Sequence, residues 1–153
     1  FDFAQSGELI REDAAHWNAM GVRLVDGGEV PEHGPSSILL PGGHTGVALV
    51  IYENFQVIET YNPADAYVIG VGHLADRIAG GPAFRGGWPR ADRALTNDER
   101  FELQRRLTAA GFSTERIDGI VGPLTIQAVR EYQAAEGLVP DGYASVDLLR
   151  RLR

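Results

Sequence analysis

The chain has no cysteine and no lysine among its 153 residues, and only one methionine. Without cysteine there are no disulfides, no zinc–thiolate centres and no thiol nucleophile. That composition is compatible with an oxidising compartment such as a periplasm. All 14 basic residues are arginine, against 21 acidic residues, for a net charge of −7. No basic stripe of the kind a nucleic-acid binder carries is visible. No apolar run approaches the roughly 18 residues of a membrane span. The four histidines, His16, His33, His44 and His73, stand at no metal-ligand spacing, so neither metal nor cofactor is expected. Gly42-Gly43-His44-Thr45-Gly46 lacks the lysine and the following helix of a phosphate loop, and fits a hairpin turn instead. The start at Phe1, without initiator methionine or signal peptide, reads as a fragment or processed product.

What is present is 44% hydrophobic and 23% charged, the balance of a soluble globular protein of one or two small domains. Residues 6–20 carry a helical pattern with Ser6 as N-cap, Leu9, Ala14 and Trp17 as apolar positions, and Gly21 as the stop. Three short β-prone runs follow, Val22–Val25, Ile38–Leu40 and Val47–Tyr52, separated by Gly/Pro/Asp turns. They predict a small antiparallel sheet. A helical period returns with Phe55 and Ile58. Asn62 is then placed to cap a further helix with Pro63 at its first position. Tyr67, Val68, Val71, Leu74, Ala75 and Ile78 fall at 3.6-residue spacing and predict one buried face, ending at Gly80-Gly81-Pro82. The Gly-, Pro- and Arg-rich stretch up to residue 94 reads as an interdomain linker with Trp88 as an anchor.

Beyond it, Thr96-Asn97-Asp98-Glu99 forms a capping box. Leu103 and Leu107 stripe a first helix, Ala128, Val129 and Tyr132 a second, and Val146, Leu149 and Leu152 a third. Two turns repeat, Asp118-Gly119 and Pro140-Asp141-Gly142-Tyr143. The order Ile117-Asp118-Gly119-Ile120-Val121-Gly122-Pro123-Leu124-Thr125, then an amphipathic helix, then the second Asp-Gly turn, resembles the three-helix peptidoglycan-binding domain of bacterial cell-wall enzymes. The resemblance covers residues 95–153. It implies glycan contacts from groove residues beside the turns, Gly122, Thr125, Tyr132 and Tyr143. Tyr132 equally suits a core position.

In the first half, Asn54-Phe55-Gln56-Val57-Ile58-Glu59-Thr60-Tyr61-Asn62, followed by Tyr67-Val68 and Leu74-Ala75, resembles the end of the catalytic domain in the membrane-bound lytic murein transglycosylase B family. Trp17 with Gly21-Val22, Leu39-Leu40-Pro41-Gly42-Gly43 and the strand ending at Tyr52 agree with it. The resemblance implies an α+β chain: residues 1–82 as the C-terminal part of a lysozyme-like catalytic domain, a linker at 83–94, and a peptidoglycan-binding domain at 95–153. It implies that Tyr61, Asn62 and Tyr67 line the saccharide cleft, although Asn62 also reads as an ordinary cap and Tyr67 as core. The implied activity is cleavage of MurNAc–GlcNAc bonds with formation of 1,6-anhydroMurNAc by one glutamic acid. The family sets that acid in a Glu-Ser context. No Glu-Ser dipeptide occurs here, so the catalytic glutamate is expected outside this chain; Glu53 and Glu59 match no catalytic position. The implied partners are peptidoglycan strands and an N-terminal catalytic segment of the same gene product, with no nucleic acid. Any membrane anchor belongs to such an N-terminal segment. The implied place is the periplasm of a Gram-negative bacterium. A non-catalytic peptidoglycan-binding or scaffold module is the alternative.

Overall fold

The computed structural model describes residues 1–89 and 92–153; Arg90 and Ala91, inside the predicted linker, lie outside the described residues. The architecture is α+β, with six α-helices and one two-stranded antiparallel sheet among the described residues. The helices are α1 (Ala14–Ala19), α2 (Glu53–Tyr61), α3 (Asp65–Ile78), α4 (Asn97–Ala109), α5 (Pro123–Ala135) and α6 (Val146–Leu152). The strands are β1 (Ser37–Leu39) and β2 (Leu49–Ile51). The chain forms two compact units. The first holds Phe1, Gln5–Pro41 and Val47–Gly86; the second holds Asp2–Ala4, Gly42–Gly46 and Gly87–Arg153.

In the first unit the sheet is buried on both faces. The register pairs Ser37 with Ile51, Ile38 with Val50 and Leu39 with Leu49. Side chains alternate across a strand. Ile38 and Val50 therefore join Ala14, Trp17 and Val30 on one side. Leu39, Leu49 and Ile51 join Phe55 and Val68 on the other. The expected third run, Val22–Val25, is no strand. Leu24 accepts from the Gly27 N–H and donates to the Gly28 carbonyl, which closes a turn.

The first helix is shorter than its pattern predicts. α1 starts at Ala14, capped by the Asp13 carboxylate on the His16 N–H at 2.7 Å, not at Ser6. The cause is lateral pairing. The Gly7 N–H donates to the Ile38 carbonyl, and Glu12 exchanges both backbone bonds with Ser36. These bonds tie Gly7 and Glu12 to the chain at β1, and between them a turn closed by the Ile10 N–H on the Gly7 carbonyl leaves Leu9 exposed.

Helix α3 likewise starts at Asp65, with Ala64 at its N-cap, so Pro63 precedes the helix. The Asn62 side chain instead accepts from the Ala64 N–H at 3.0 Å, a local turn. Of its predicted apolar face, only Val68 is fully buried; Val71, Leu74 and Ile78 stay exposed.

In the second unit the helical stripes pack as their periodicity predicts. Leu103, Leu107, Ala128, Val129, Tyr132, Val146 and Leu149 form one core, with Leu152 at its edge. Each fully buried aliphatic contributes about 1.5–3 kcal/mol. The capping box is complete: the Glu99 N–H donates to Thr96 Oγ1, and the Thr96 N–H donates to the Glu99 carboxylate.

Candidate functional site

Two places concentrate polar chemistry, one in each unit. In the first unit it is the corner between α2 and α3. Tyr61 ends α2 and is 85% exposed. Its ring stacks on that of Tyr67 in the first turn of α3, with centroids 6.4 Å apart and planes 23° from parallel. Asn62 lies between them in sequence and shapes the turn through its side chain. The structure thus brings together the three residues expected to line a saccharide cleft. Aromatic faces beside an amide are the groups that hold sugars.

The same corner carries a feature that spacing does not reveal. Glu8, Glu59 and Asp65 bring carboxylate oxygens within 4.8 Å of one another. Burial, reinforced by the charges of Asp65 and Glu59, pushes Glu8 up to about 7. Burial also raises Glu59 and Asp65. Three like charges at this distance favour retention of a proton, which Glu8 shares with Glu59. This is also the group able to offer ligands to a divalent cation, which would have to displace that proton. Glu8 lies 51 positions before Glu59, and only the turn at Gly7 brings it there, so sequence reasoning finds Glu59 alone.

The shared proton has a measurable consequence. Glu8 in the folded chain binds its proton more tightly than an unfolded glutamate near 4.5. Its contribution is therefore fully present below about pH 4.5 and is lost as pH rises through about 7. Glu8→Gln, which mimics the protonated form, is expected to melt a few degrees above the parent at pH 8 and level with it at pH 4.5. A difference that does not change with pH would remove the shared proton.

In the second unit the two Asp-Gly turns are built alike, and each is locked by a buried glutamine. Gln104 of α4 accepts from the Asp118 and Gly119 N–H groups at 3.0 and 2.8 Å. Its amide donates to Asp118 Oδ1, the Ile120 carbonyl and Thr125 Oγ1. Gln133 of α5 accepts from the Gly142 N–H at 2.9 Å and donates to Asp141 Oδ1 at 2.8 Å. Gly119 and Gly142 have φ of +74° and +75°. A Cβ there would lie 2.8 Å from the Phe101 ring and 2.7 Å from Ile126, so only glycine fits. The hydrogen bonds from Gln104 and from the Ile120 N–H hold Asp118 below the usual carboxylate range. Burial works against Asp141, but bonds from the Tyr143 and His44 N–H groups, the His44 ring and Gln133 outweigh it and keep that group low too.

The four residues expected to contact glycan are not brought to one place. Gly122 and Thr125 border a depression of about 270 Å³ beside the Asp118 turn. The Thr125 hydroxyl is buried and already bonded to Gln104 and the Ile120 carbonyl. Tyr132 lies in the core, edge-on to Phe112. Tyr143 lines a separate cavity of about 840 Å³ with His44, Asp92 and Arg150. Burial, with Asp92 and Asp141 nearby, pushes its phenol up to about 12, so it stays a hydrogen-bond donor. The histidines are dispersed: His16 meets Trp17, His33 meets Tyr52, His73 stacks on Phe84 and His44 bonds Asp141. Gly42–Gly46 is the predicted hairpin turn, closed by the Gly46 N–H on the Gly43 carbonyl.

Comparison with known proteins places this geometry in context. Residues 1–76 match the transglycosylase SLT domain family, and residues 96–152 match the peptidoglycan binding domain family. The whole chain superposes with TM-score 0.94 and 42% identity on crystal structures of SltB3 from Pseudomonas aeruginosa. Those structures hold NAG-anhNAM-pentapeptide in one case and NAG-NAM-pentapeptide in the other. A stretch of 57 residues is 40% identical to a spore cortex-lytic enzyme of Halalkalibacterium halodurans, covering 37% of this chain. The chain spans 42% of the SltB3 chain and 17% of the curated relative.

Proposed function

We propose that this chain, whose residues 1–76 match the transglycosylase SLT domain family and residues 96–152 the peptidoglycan binding domain family, is a wall-binding and cleft-forming portion of an enzyme that cleaves peptidoglycan. The cleavage is of MurNAc–GlcNAc bonds with formation of 1,6-anhydroMurNAc, carried out in the periplasm. The observation that carries the reading is the α2–α3 corner, where Tyr61 and Tyr67 stack in solvent beside Asn62. A saccharide offers apolar sugar faces to such rings and hydroxyls or N-acetyl groups to the amide.

In this reading the catalytic acid comes from sequence outside the 153 residues. The exposed seam of α3, with Leu74 60% exposed, is the surface against which the rest of the catalytic domain packs. The 153-residue chain should therefore sediment with purified sacculi and release no 1,6-anhydromuropeptides. Losing a general acid costs on the order of 10²–10⁴-fold in rate. Addition of an upstream catalytic segment should restore soluble anhydro products, read by chromatography. In the restored enzyme Asn62→Ala should lower turnover more than Thr125→Ala.

Failure to sediment with sacculi removes wall binding. Sedimentation with no cleavage even after the upstream segment is added favours a non-catalytic binding module. Anhydro products from the 153 residues alone would overturn the assignment of the acid. Glu8, whose carboxyl holds its proton up to about pH 7, would then be the group to replace by glutamine.

A further inference from the structure

The two Asp-Gly turns of the second unit share a backbone, a glutamine lock and a glycine of positive φ, yet differ in what meets the aspartate. At the second turn the outer oxygen, Asp141 Oδ2, accepts from the His44 N–H at 2.8 Å and bonds His44 Nδ1 at 2.6 Å. A peptide segment, Gly43-His44, is thus seated on that turn so closely that a Cβ on Gly43 would lie 2.7 Å from Asp141 Oδ2. At the first turn Asp118 Oδ1 is engaged by Gln104 and the Ile120 N–H, but no protein donor among the described residues reaches Oδ2. Asp118 is exposed and opens on the depression of about 270 Å³. Ile120 and Leu124 line it, at 65% and 48% exposure, and Glu115 and Arg116 complete its wall. The depression thus sets two exposed aliphatic side chains beside one carboxylate oxygen open to an incoming donor.

The chain itself shows what such a turn accepts, since the second turn is filled by a secondary-amide N–H. We propose that the Asp118-Gly119 turn is a ligand subsite that takes a secondary-amide N–H of a peptidoglycan fragment on Asp118 Oδ2. Methyl groups of the fragment lie against Ile120 and Leu124. The inference rests on the wall-binding reading and assigns its contact point. Peptidoglycan supplies such an amide with an adjacent methyl from two sources, the N-acetyl group of a sugar and the alanyl units of the stem peptide. The subsite differs from the groove expected from sequence, because Thr125 is consumed in supporting the turn and Tyr132 in the core.

Asp118→Asn tests it cleanly. The asparagine keeps Oδ1 for Ile120 and Gln104 but replaces the acceptor Oδ2 with a donor. Binding of three probes to the full chain, followed by backbone amide NMR, separates the sources: NAG-NAM disaccharide, NAG-NAM-pentapeptide and the free pentapeptide. In the parent chain the resonances of Gly119 and Ile120 should move. Asp118→Asn should bind about tenfold more weakly, the loss expected when a charged acceptor is removed. Dependence on Asp118 with the free pentapeptide assigns the stem; dependence with the disaccharide assigns the N-acetyl group. Ile120→Thr, which trims the rim and leaves the carboxylate intact, should weaken the same probe severalfold. Should Asp118→Asn bind every probe as the parent does, or the shifts fall only at other residues, the subsite is refuted. Wall binding would then still stand if the chain sediments with sacculi. No binding of any probe by the parent refutes the subsite as well.

Discussion

Gln104→Leu is expected to unfold the second unit at physiological temperature, or leave it barely stable. The side chain is fully buried in α4; it bonds the Asp118 and Gly119 N–H groups, Asp118 Oδ1 and the Ile120 carbonyl of the turn, and Thr125 of α5 beside it. Leucine has a similar volume, so the loss is almost wholly polar. The Asp118 and Gly119 N–H groups lose their acceptor, while the Ile120 carbonyl keeps the Thr125 hydroxyl, and each buried donor left unmet costs about 1–3 kcal/mol. A loss of about 4 kcal/mol approaches the whole stability of a unit this small, roughly 0.05–0.15 kcal/mol per residue. Hydrogen exchange of the α4 and α5 amides in the full chain measures the effect. Gln104→Glu gives the sharper comparison. It still accepts from both turn amides, but it cannot donate to Asp118, and it sets a second negative charge beside that carboxylate. It should therefore be destabilised at pH 7 and partly rescued near pH 4, whereas the leucine variant should show no such rescue. Near-parental protection in the leucine variant would mean that the glutamine lock does not hold the turn.

Trp17→Ala is expected to cost the first unit about 4 kcal/mol. Trp17 is fully buried against Ala14, Val30 and Ile38, so truncation leaves a cavity of most of an indole. Its Nε1–H also donates to Ser36 Oγ at 3.0 Å, which ties α1 to the segment that enters β1. Trp17→Phe should cost less, about 1–2 kcal/mol, because much of the ring volume stays and Ser36 Oγ keeps its bond to the Glu12 carbonyl. Thermal melts followed at the β1 and β2 amides separate the two variants. Equal losses for alanine and phenylalanine would show that the hydrogen bond, rather than the packed volume, carries the contribution of Trp17.

The second unit was legible in the sequence because its determinants are local. The Thr96–Glu99 box, the Leu103/Leu107 stripe and the two Asp-Gly turns each act over fewer than ten residues, where helix period and turn chemistry decide the outcome. The first unit was less legible. Its expected helix from Ser6 gave way to pairing of Gly7 and Glu12 with residues 36–38, about 30 positions away. The periodic face of α3 buries Val68 against Phe55, Leu39 and Ile51 but leaves Val71, Leu74 and Ile78 exposed, so the spacing marks an apolar face without fixing how much of it is buried within the unit. At the α2–α3 corner, Tyr61, Asn62 and Tyr67 are separated by six positions and could be named from sequence. Glu8 could not, because nothing local links it to Glu59 and Asp65.

What the sequence determined by itself was therefore the likeness to the transglycosylase SLT and peptidoglycan binding domains, the α+β class, the helices of the second unit and the aromatic pair at the α2–α3 corner. Those follow from short-range spacing and from residue types that admit few conformations. The tertiary structure alone decided which carboxylates share a proton, which glutamine locks which turn, and which of two similar aspartates is already satisfied. Asp118 and Asp141 sit in nearly the same local sequence. Only the fold brings His44, 97 positions from Asp141, to one of them and leaves the other open to solvent. Hydrogen bonds and charge interactions depend on distances of a few ångströms, and across a separation of that length only long-range packing sets them.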